Sequence, residues 1–74
     1  MTLRELREKR GMSPEEAAYK LGISLSTLRN WETGKNEPTL TPKAMANALS
    51  VYDCTFEEFR QAVQETVEQV KGTG

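Results

Sequence analysis

The chain has 74 residues, of which 36% are hydrophobic and 28% are charged. A chain of this length forms a single domain, and its composition is that of a folded protein, not of a disordered one. It contains no histidine and one cysteine, Cys54. These counts exclude the usual zinc-ligand sets, an internal disulfide and the commonest general base. We therefore expect no metal, no cofactor, no small-molecule substrate and no enzymatic activity.

The net charge of −1 is unevenly distributed along the chain. Residues 1–43 carry eight Lys or Arg and six acids, whereas residues 44–74 carry two basic residues and five acids. The first part is therefore the one suited to a polyanionic partner, although so small a charge predicts modest nonspecific affinity. Apolar stretches are only a few residues long and none follows the charged N-terminus, so we expect a cytoplasmic protein with no membrane partner.

Capping residues predict five helix starts, at Thr2, Ser13, Ser24, Thr41 and Thr55. Three of them are followed three positions later by glutamate, which matches the reciprocal hydrogen bonds of a capping box. Pro14 and Pro42 stand at first helical positions, where a missing N–H is harmless. Glycines at positions 11, 22 and 34 mark helix ends. The sequence thus predicts an all-α fold. Its helices are expected near residues 2–10, 14–21, 25–32, 42–50 and 55–71.

The second and third predicted helices are short and are separated by a tight turn at Gly22. Apolar residues recur there with the spacing that packs two helices across such a turn. They are Ala17, Ala18, Leu21, Ile23, Leu28 and Trp31. With Leu28 and Trp31 facing inward, the other side of the third helix is left to solvent. That side carries Leu25, Ser26, Arg29 and Asn30. The pattern predicts a helix-turn-helix whose third helix enters the major groove of double-stranded DNA.

Three longer stretches carry a resemblance to a known family: LRELREKRGMS, EEAAYKLGISLSTLRNWETGKNEPTLTP and CTFEEF. On these stretches, residues 2–60 resemble the Cro- and phage-repressor-like helix-turn-helix family, also called the xenobiotic-response-element family. The resemblance implies the five-helix lambda-repressor-like fold, with a DNA-binding domain over residues 1–60. Residues 61–74 would then extend the last helix and end in a short flexible tail.

The resemblance also implies that the third helix reads bases. These contacts would come from Leu25, Ser26, Arg29 and Asn30. Leu25 suits a thymine methyl group, Arg29 offers a fork to guanine O6 and N7, and Asn30 suits adenine. For Arg29 a phosphate contact is an equal alternative.

Contacts to the DNA backbone are implied for Ser24, Thr27, Lys35 and Asn36. The first two offer hydroxyls where the third helix enters the groove. The last two lie in the following loop, where the family places backbone amides and polar side chains against the sugar-phosphate chain. Lys35 is alternatively an ordinary solvated loop lysine.

Two further positions follow from the resemblance. Arg7 and Glu32 match a family ion pair that ties the first helix to the end of the third. Pro14 departs from the family, which often has a phosphate-contacting glutamine at the start of the second helix. Without it, the backbone N–H groups of Glu15 and Glu16 would have to serve, beside two carboxylates that repel phosphate. We therefore expect weak DNA binding by a monomer, or a need for dimerisation.

Apolar residues recur at three- and four-residue steps along the last predicted helix. They are Phe56, Phe59, Val63, Val67 and Val70, with Thr66 on the same face. Both phenylalanines are expected in the core. The core is expected to include Leu3, Leu6, Trp31, Met45, Leu49 and Tyr52 as well. The valines Val63, Val67 and Val70 extend past the usual end of the family domain, and such a stripe predicts homodimer contacts through this helix. The alternative is that the helix folds back onto its own core or frays after Val67.

These features together predict a sequence-specific double-stranded DNA-binding transcriptional regulator, with repression by occupancy as its expected role. A second hypothesis is an antitoxin-like or adaptor module that uses the same fold to bind a partner chain. The acidic second half and Pro14 favour this alternative slightly. A strongly salt-dependent shift with duplex DNA distinguishes the two.

Overall fold

A computed structural model describes the backbone of residues 1–73 and the side chains of residues 1–69. The chain forms five helices: α1 Leu3–Lys9, α2 Pro14–Leu21, α3 Leu25–Glu32, α4 Pro42–Tyr52 and α5 Phe56–Thr73. Within this described part there is no strand. Helix α2 packs against α3 and α4, and α1 packs against α3 and α5. The predicted all-α fold with five helices and an extended last helix is confirmed.

Two complete capping boxes begin α1 and α5. The Thr2 hydroxyl accepts from the Glu5 N–H at 3.2 Å, and the Glu5 carboxylate accepts from the Thr2 N–H at 2.8 Å. Thr55 and Glu58 repeat the pattern at 3.1 and 2.9 Å. Because each carboxylate accepts a backbone N–H, the pKa of Glu5 and that of Glu58 lie below their ordinary value of 4.5. These helix starts are therefore determined by local hydrogen bonds, as the sequence predicts.

The start of α2 realises only half of its predicted capping box. The Ser13 hydroxyl accepts from the Glu16 N–H at 3.1 Å. The Glu16 carboxylate does not complete the box but lies 3.2 Å from the Lys20 Nζ, one turn further along the helix. The Glu16 carboxylate thus pairs with Lys20 and does not accept the Ser13 N–H, as a capping box would require.

Helix α4 runs two residues beyond its predicted end. It stops at Asp53, which is the C-cap and adopts a left-handed conformation with φ 52° and ψ 55°. Its N–H donates to the Ser50 carbonyl at 3.2 Å. Asp adopts the left-handed conformation more readily than most residues, but it is a weaker signal of a helix end than glycine. The end of α4 is therefore harder to predict from the sequence.

The hydrophobic core contains buried side chains from all five helices. Its largest fully buried side chains are Leu3, Leu28, Tyr52 and Phe59. The rings of Tyr52 and Phe59 pack with centroids 5.9 Å apart and planes tilted by 46°. Leu6 and Trp31 are also buried, and Met45 and Leu49 pack against the cluster as partly buried residues.

Phe56 is not part of the core, contrary to the prediction. Its side chain is 53% exposed. The buried stripe of α5 runs through Phe59, Ala62 and Thr66. At about 100° per residue, Phe56 lies about 60° around the helix from Phe59, away from this stripe. Ala62 and Thr66 are small or polar, so they contribute little to the apolar pattern of the sequence. The prediction relied on the large apolar residues and therefore placed the centre of the buried stripe too close to Phe56.

Packing of α5 continues beyond residue 60. Thr66 is only 3% exposed. Its hydroxyl accepts from the Leu3 N–H at 3.0 Å and donates to the Ala62 carbonyl at 2.8 Å. Leu3 is the first residue of α1, so its N–H has no partner within its own helix, and Thr66 supplies one. The second half of α5 is thus attached to the start of α1.

Elsewhere on α5, Val63 and Val67 are partly buried, and Val63 packs against the core. The side chain of Val70 lies outside the described residues. Over the residues described, no helix is long and apolar enough to cross a lipid bilayer.

Candidate nucleic-acid interface

The turn between α2 and α3 brings these two helices into close contact. Gly22 ends α2 in a left-handed conformation, with φ 73° and ψ 30°, which a residue without a Cβ adopts at little cost. The Ile23 N–H then donates to the Ala18 carbonyl at 3.0 Å. Ala18 is 4% exposed and small, so α3 can approach α2 closely. On the far side, the Asn47 side chain of α4 donates to the Lys20 carbonyl at 3.1 Å.

Helix α3 has a buried side and an exposed side. Leu28 is fully buried and Trp31 is 6% exposed, as the apolar spacing predicts. On the other side, Ser26 and Arg29 are exposed, and Leu25 and Asn30 are half-buried. We call these last four residues the outer face of α3. Because two large side chains hold the helix from behind, the outer face is presented to solvent in a fixed orientation.

The hydroxyls of Ser24 and Thr27 are bonded to each other at the start of α3. Ser24 Oγ accepts from the Thr27 N–H at 3.0 Å and donates to Thr27 Oγ1 at 2.8 Å. A hydroxyl has one hydrogen, so that of Ser24 is engaged while that of Thr27 stays free to donate outward. Of these two hydroxyls, that of Thr27 is the one available to donate to a DNA backbone.

The loop after α3 folds back onto the end of that helix. The N–H groups of Lys35 and Asn36 both donate to the Asn30 carbonyl, at 3.0 and 3.2 Å. The Thr33 hydroxyl donates to the Arg29 carbonyl at 2.9 Å. The two backbone amides are thus engaged within the protein, so only the exposed side chains of Lys35 and Asn36 are available to a DNA backbone.

Arg7 and Glu32 form a bidentate ion pair behind α3. Arg7 Nε lies 2.8 Å from Glu32 Oε2, and Nη2 lies 3.1 Å from Oε1. The third nitrogen, Nη1, donates to the Met12 carbonyl at 3.0 Å. The side chains are 9% and 11% exposed. The hydrogen bonds that Arg7 donates to Glu32 raise the pKa of Arg7 against the opposing effect of burial.

The start of α2 offers less to an anion than the sequence implied. Pro14 has no N–H, and the Glu16 N–H is donated to Ser13 Oγ at 3.1 Å. Of the two amides expected to replace the missing glutamine, that of Glu15 is left. The side chains of Glu15 and Glu16 are both exposed.

A cleft beside Pro14 brings in a residue that sequence reasoning missed. It has a volume of ≈ 350 Å³ and is lined by Arg4, Arg7, Pro14, Arg29, Glu32 and Thr33. Arg4 is the new member, and its side chain is 68% exposed. A signal for it was present, because a residue three positions before Arg7 lies on the same face of α1.

Two short helices joined by a tight turn, with the second held from behind and exposed in front, define a helix-turn-helix DNA-binding domain. Comparison with known families agrees, since a helix-turn-helix family profile matches residues 3–59. The chain belongs to this family, the Cro/C1-type helix-turn-helix proteins. It is a family of DNA-binding regulators, not of enzymes, and its fold is the lambda-repressor-like one. Neither a curated protein nor a solved structure matches the chain significantly.

Proposed function

We propose that this protein is a sequence-specific double-stranded DNA-binding regulator that represses transcription by occupying its operator. The observation that carries the proposal is the outer face of α3, which stays open because Leu28 and Trp31 are buried behind it. No other described segment covers Ser26 or Arg29. A regulator of this kind acts where the chromosome is, so we place it in the cytoplasm.

The outer face of α3 supplies the proposed base contacts. Arg29 provides a fork for guanine and Asn30 a pair of groups for adenine, each worth about 1–3 kcal/mol of discrimination. Leu25 and Ser26 lie at the start of the helix, where a recognition helix enters the major groove. Leu25 is half-buried, so its exposed part suits a thymine methyl group.

Proposed contacts to the DNA backbone lie on either side of these base contacts. The free hydroxyl hydrogen of Thr27 suits a phosphate oxygen, and Ser24 supports it through their mutual hydrogen bonds. Beyond α3, the side chains of Lys35 and Asn36 are exposed on the loop. These contacts fix the position of the protein on the duplex and do not read sequence.

Selection of bound duplexes from a random pool, with wild type and Arg29→Ala, tests base reading. We expect one preferred site for wild type and relaxed preference at one position for Arg29→Ala. Lys43→Ala is the matched control, because it removes an equal, exposed charge at the start of α4. Uniform weakening by Arg29→Ala, with preference retained, would assign this residue to phosphate. Absence of any salt-dependent shift, together with a co-purifying protein, would favour the adaptor hypothesis instead.

We also propose that the protein acts as a homodimer through α5. Two adjoining clefts of ≈ 410 and ≈ 160 Å³ share Arg60 and Val63. Exposed Phe56 lines the smaller cleft, and Val67 lines the larger one. The larger cleft also includes Glu37, from the loop after α3, so this surface adjoins the proposed DNA-binding side. A two-fold axis here would bring two recognition helices to one side of a duplex.

The charges around these clefts suit a second copy of the chain. Arg60 and Glu68 line the larger cleft together. In an antiparallel pair of α5 helices centred between Val63 and Val67, Arg60 of one copy lies about 3 Å along the axis from Glu68 of the other. The same contact occurs twice, because a two-fold interface is self-complementary. The two recognition helices would then meet half-sites about 34 Å apart.

Sedimentation and footprinting of Val67→Glu test the dimer. We expect wild type to sediment as a dimer and to protect two half-sites. The added charge should make the variant a monomer that protects one half-site. Gln69→Glu is the matched control, since it adds the same charge at an exposed position about 160° around α5 from Val67. A wild-type protein that sediments as a monomer at tens of micromolar would contradict this part of the proposal.

A further inference from the structure

The cleft beside Pro14 has a charge arrangement that suits an anion. We call it the arginine cleft, defined by its lining residues Arg4, Arg7, Pro14, Arg29, Glu32 and Thr33. Arg7 and Glu32 neutralise each other at 2.8 Å and are almost buried. Arg4 and Arg29 are both exposed, so they give the cleft its positive charge.

Arg4 is available to a ligand in this cleft. Its Nε lies 3.4 Å from Glu8 Oε2, in an i,i+4 pair whose side chains are 68% and 52% exposed. An exposed pair of this kind is weak because water screens both charges, so solvent or an anion competes with it readily. The guanidinium can therefore turn towards an anion at little cost.

The other groups around the arginine cleft offer few free hydrogen-bond donors to an anion. Pro14 has no N–H, and the Thr33 hydroxyl already donates to the Arg29 carbonyl at 2.9 Å. The exposed carboxylates of Glu15 and Glu16 lie next to Pro14 and repel phosphate. Any anion held here needs cationic donors from across the cleft.

We infer that the arginine cleft binds a phosphodiester group of the DNA backbone, and that Arg4 supplies the positioning contact that Pro14 cannot make. The inference rests on the proposed function, because it needs α3 to lie in the adjacent groove. Arg29, at the end of the cleft formed by α3, adds its charge whether its guanidinium meets a phosphate or a base. Arg4 is thus a backbone-positioning residue, and it carries no sequence preference.

The salt dependence of DNA affinity tests this role. Affinities of wild type, Arg4→Ala and Arg10→Ala for the selected duplex are measured by fluorescence anisotropy between about 50 and 300 mM salt. For Arg4→Ala we expect roughly tenfold weaker binding and a salt slope lower by about 0.9, the value of one lost phosphate contact. Base preference in a repeated selection should be unchanged. Arg10→Ala removes the same charge at the other end of α1, where Arg10 lies 3.8 Å from Asp53, and should keep the wild-type slope.

Neutral methylphosphonate linkages, placed one at a time along the half-site, locate the contact. One position should weaken wild type roughly tenfold and leave Arg4→Ala unaffected, because that variant has already lost the contact. Unchanged melting temperature for Arg4→Ala establishes that folding is intact. The role of the cleft would be overturned if Arg4→Ala bound DNA as tightly as wild type, with the same salt slope. The methylphosphonate linkages would then also weaken both proteins equally. A wild-type protein that binds no duplex would overturn the proposed function itself.

Discussion

Arg7, on α1, links the end of α3 to the connection before α2. All three nitrogens of its guanidinium are engaged, two with Glu32 at the end of α3 and one with the Met12 carbonyl before α2. Lysine has a single donor nitrogen and no planar fork, so it cannot reproduce bonds made by three separate nitrogens. One side chain thus joins α1, the α1–α2 connection and the recognition helix.

We expect Arg7→Ala to lower the free energy of unfolding by about 2–4 kcal/mol, because it leaves Glu32 almost buried without a partner. In a chain of this size the melting temperature should fall by at least about 10 °C. Circular dichroism during thermal unfolding measures the change. Arg4→Ala, which removes an exposed arginine from the same helix, serves as control and should shift the melt by no more than about 2 °C. A melt unchanged by Arg7→Ala contradicts the prediction.

At the scale of elements, a buried hydroxyl of α5 forms a hydrogen bond with the start of α1. The Thr66 hydroxyl accepts a hydrogen bond from the Leu3 N–H, and Thr66 is only 3% exposed. Thr66→Val has nearly the same shape but leaves this N–H without a partner, so we expect a loss of about 1–3 kcal/mol. Thr66→Ser keeps the hydroxyl and should lose less than half as much. Urea unfolding monitored by Trp31 fluorescence compares them, and equal stability of the two variants would refute the role of the hydrogen bond.

The capping boxes of α1 and α5 make stability depend on acid. The pKa of Glu5 and that of Glu58 are lowered in the folded chain by the N–H groups they accept. A carboxylate with a lowered pKa contributes stability above its unfolded pKa and loses it as the pH falls through the folded pKa. The melting temperature should therefore fall as the pH drops below about 5.

A double variant, Glu5→Gln with Glu58→Gln, separates the caps from other acids. Glutamine keeps an oxygen that accepts the N–H but does not titrate in this range. We expect its melting temperature to vary less steeply with pH between about 5 and 3 than that of wild type. Parallel pH profiles for the two proteins would show that the caps do not contribute to acid sensitivity.

At the scale of the whole molecule, the folded unit is longer than the family match. The match ends at residue 59, yet Ala62 is 1% and Thr66 3% exposed. A chain ending after Arg60 would lose both and expose the core beside Phe59, so we expect it to be less stable by about 3 kcal/mol or more. A chain ending after residue 69 keeps Ala62 and Thr66 and should be more stable than the chain ending after Arg60. Equal melting temperatures for both truncated chains would refute this reading.

Local chemistry made much of this molecule readable from its sequence. Helix starts depend on hydrogen bonds within three residues, so Thr2 and Thr55 could be identified from their glutamates alone. The helix-turn-helix depends on apolar spacing around a glycine turn, which also determined that Leu28 and Trp31 would be buried. Both kinds of signal are complete within about 20 residues of sequence, and no distant contact competes with them.

What only the tertiary structure decided concerns contacts between residues far apart in the chain. Phe59 instead of Phe56 entered the core because Ala62 and Thr66, facing α1, determine which side of α5 is buried. Arg4 joined the arginine cleft because α1 packs beside the start of α2 and the end of α3. Each outcome depends on how helices are oriented against one another, and a one-dimensional pattern of apolar and polar residues does not contain that orientation.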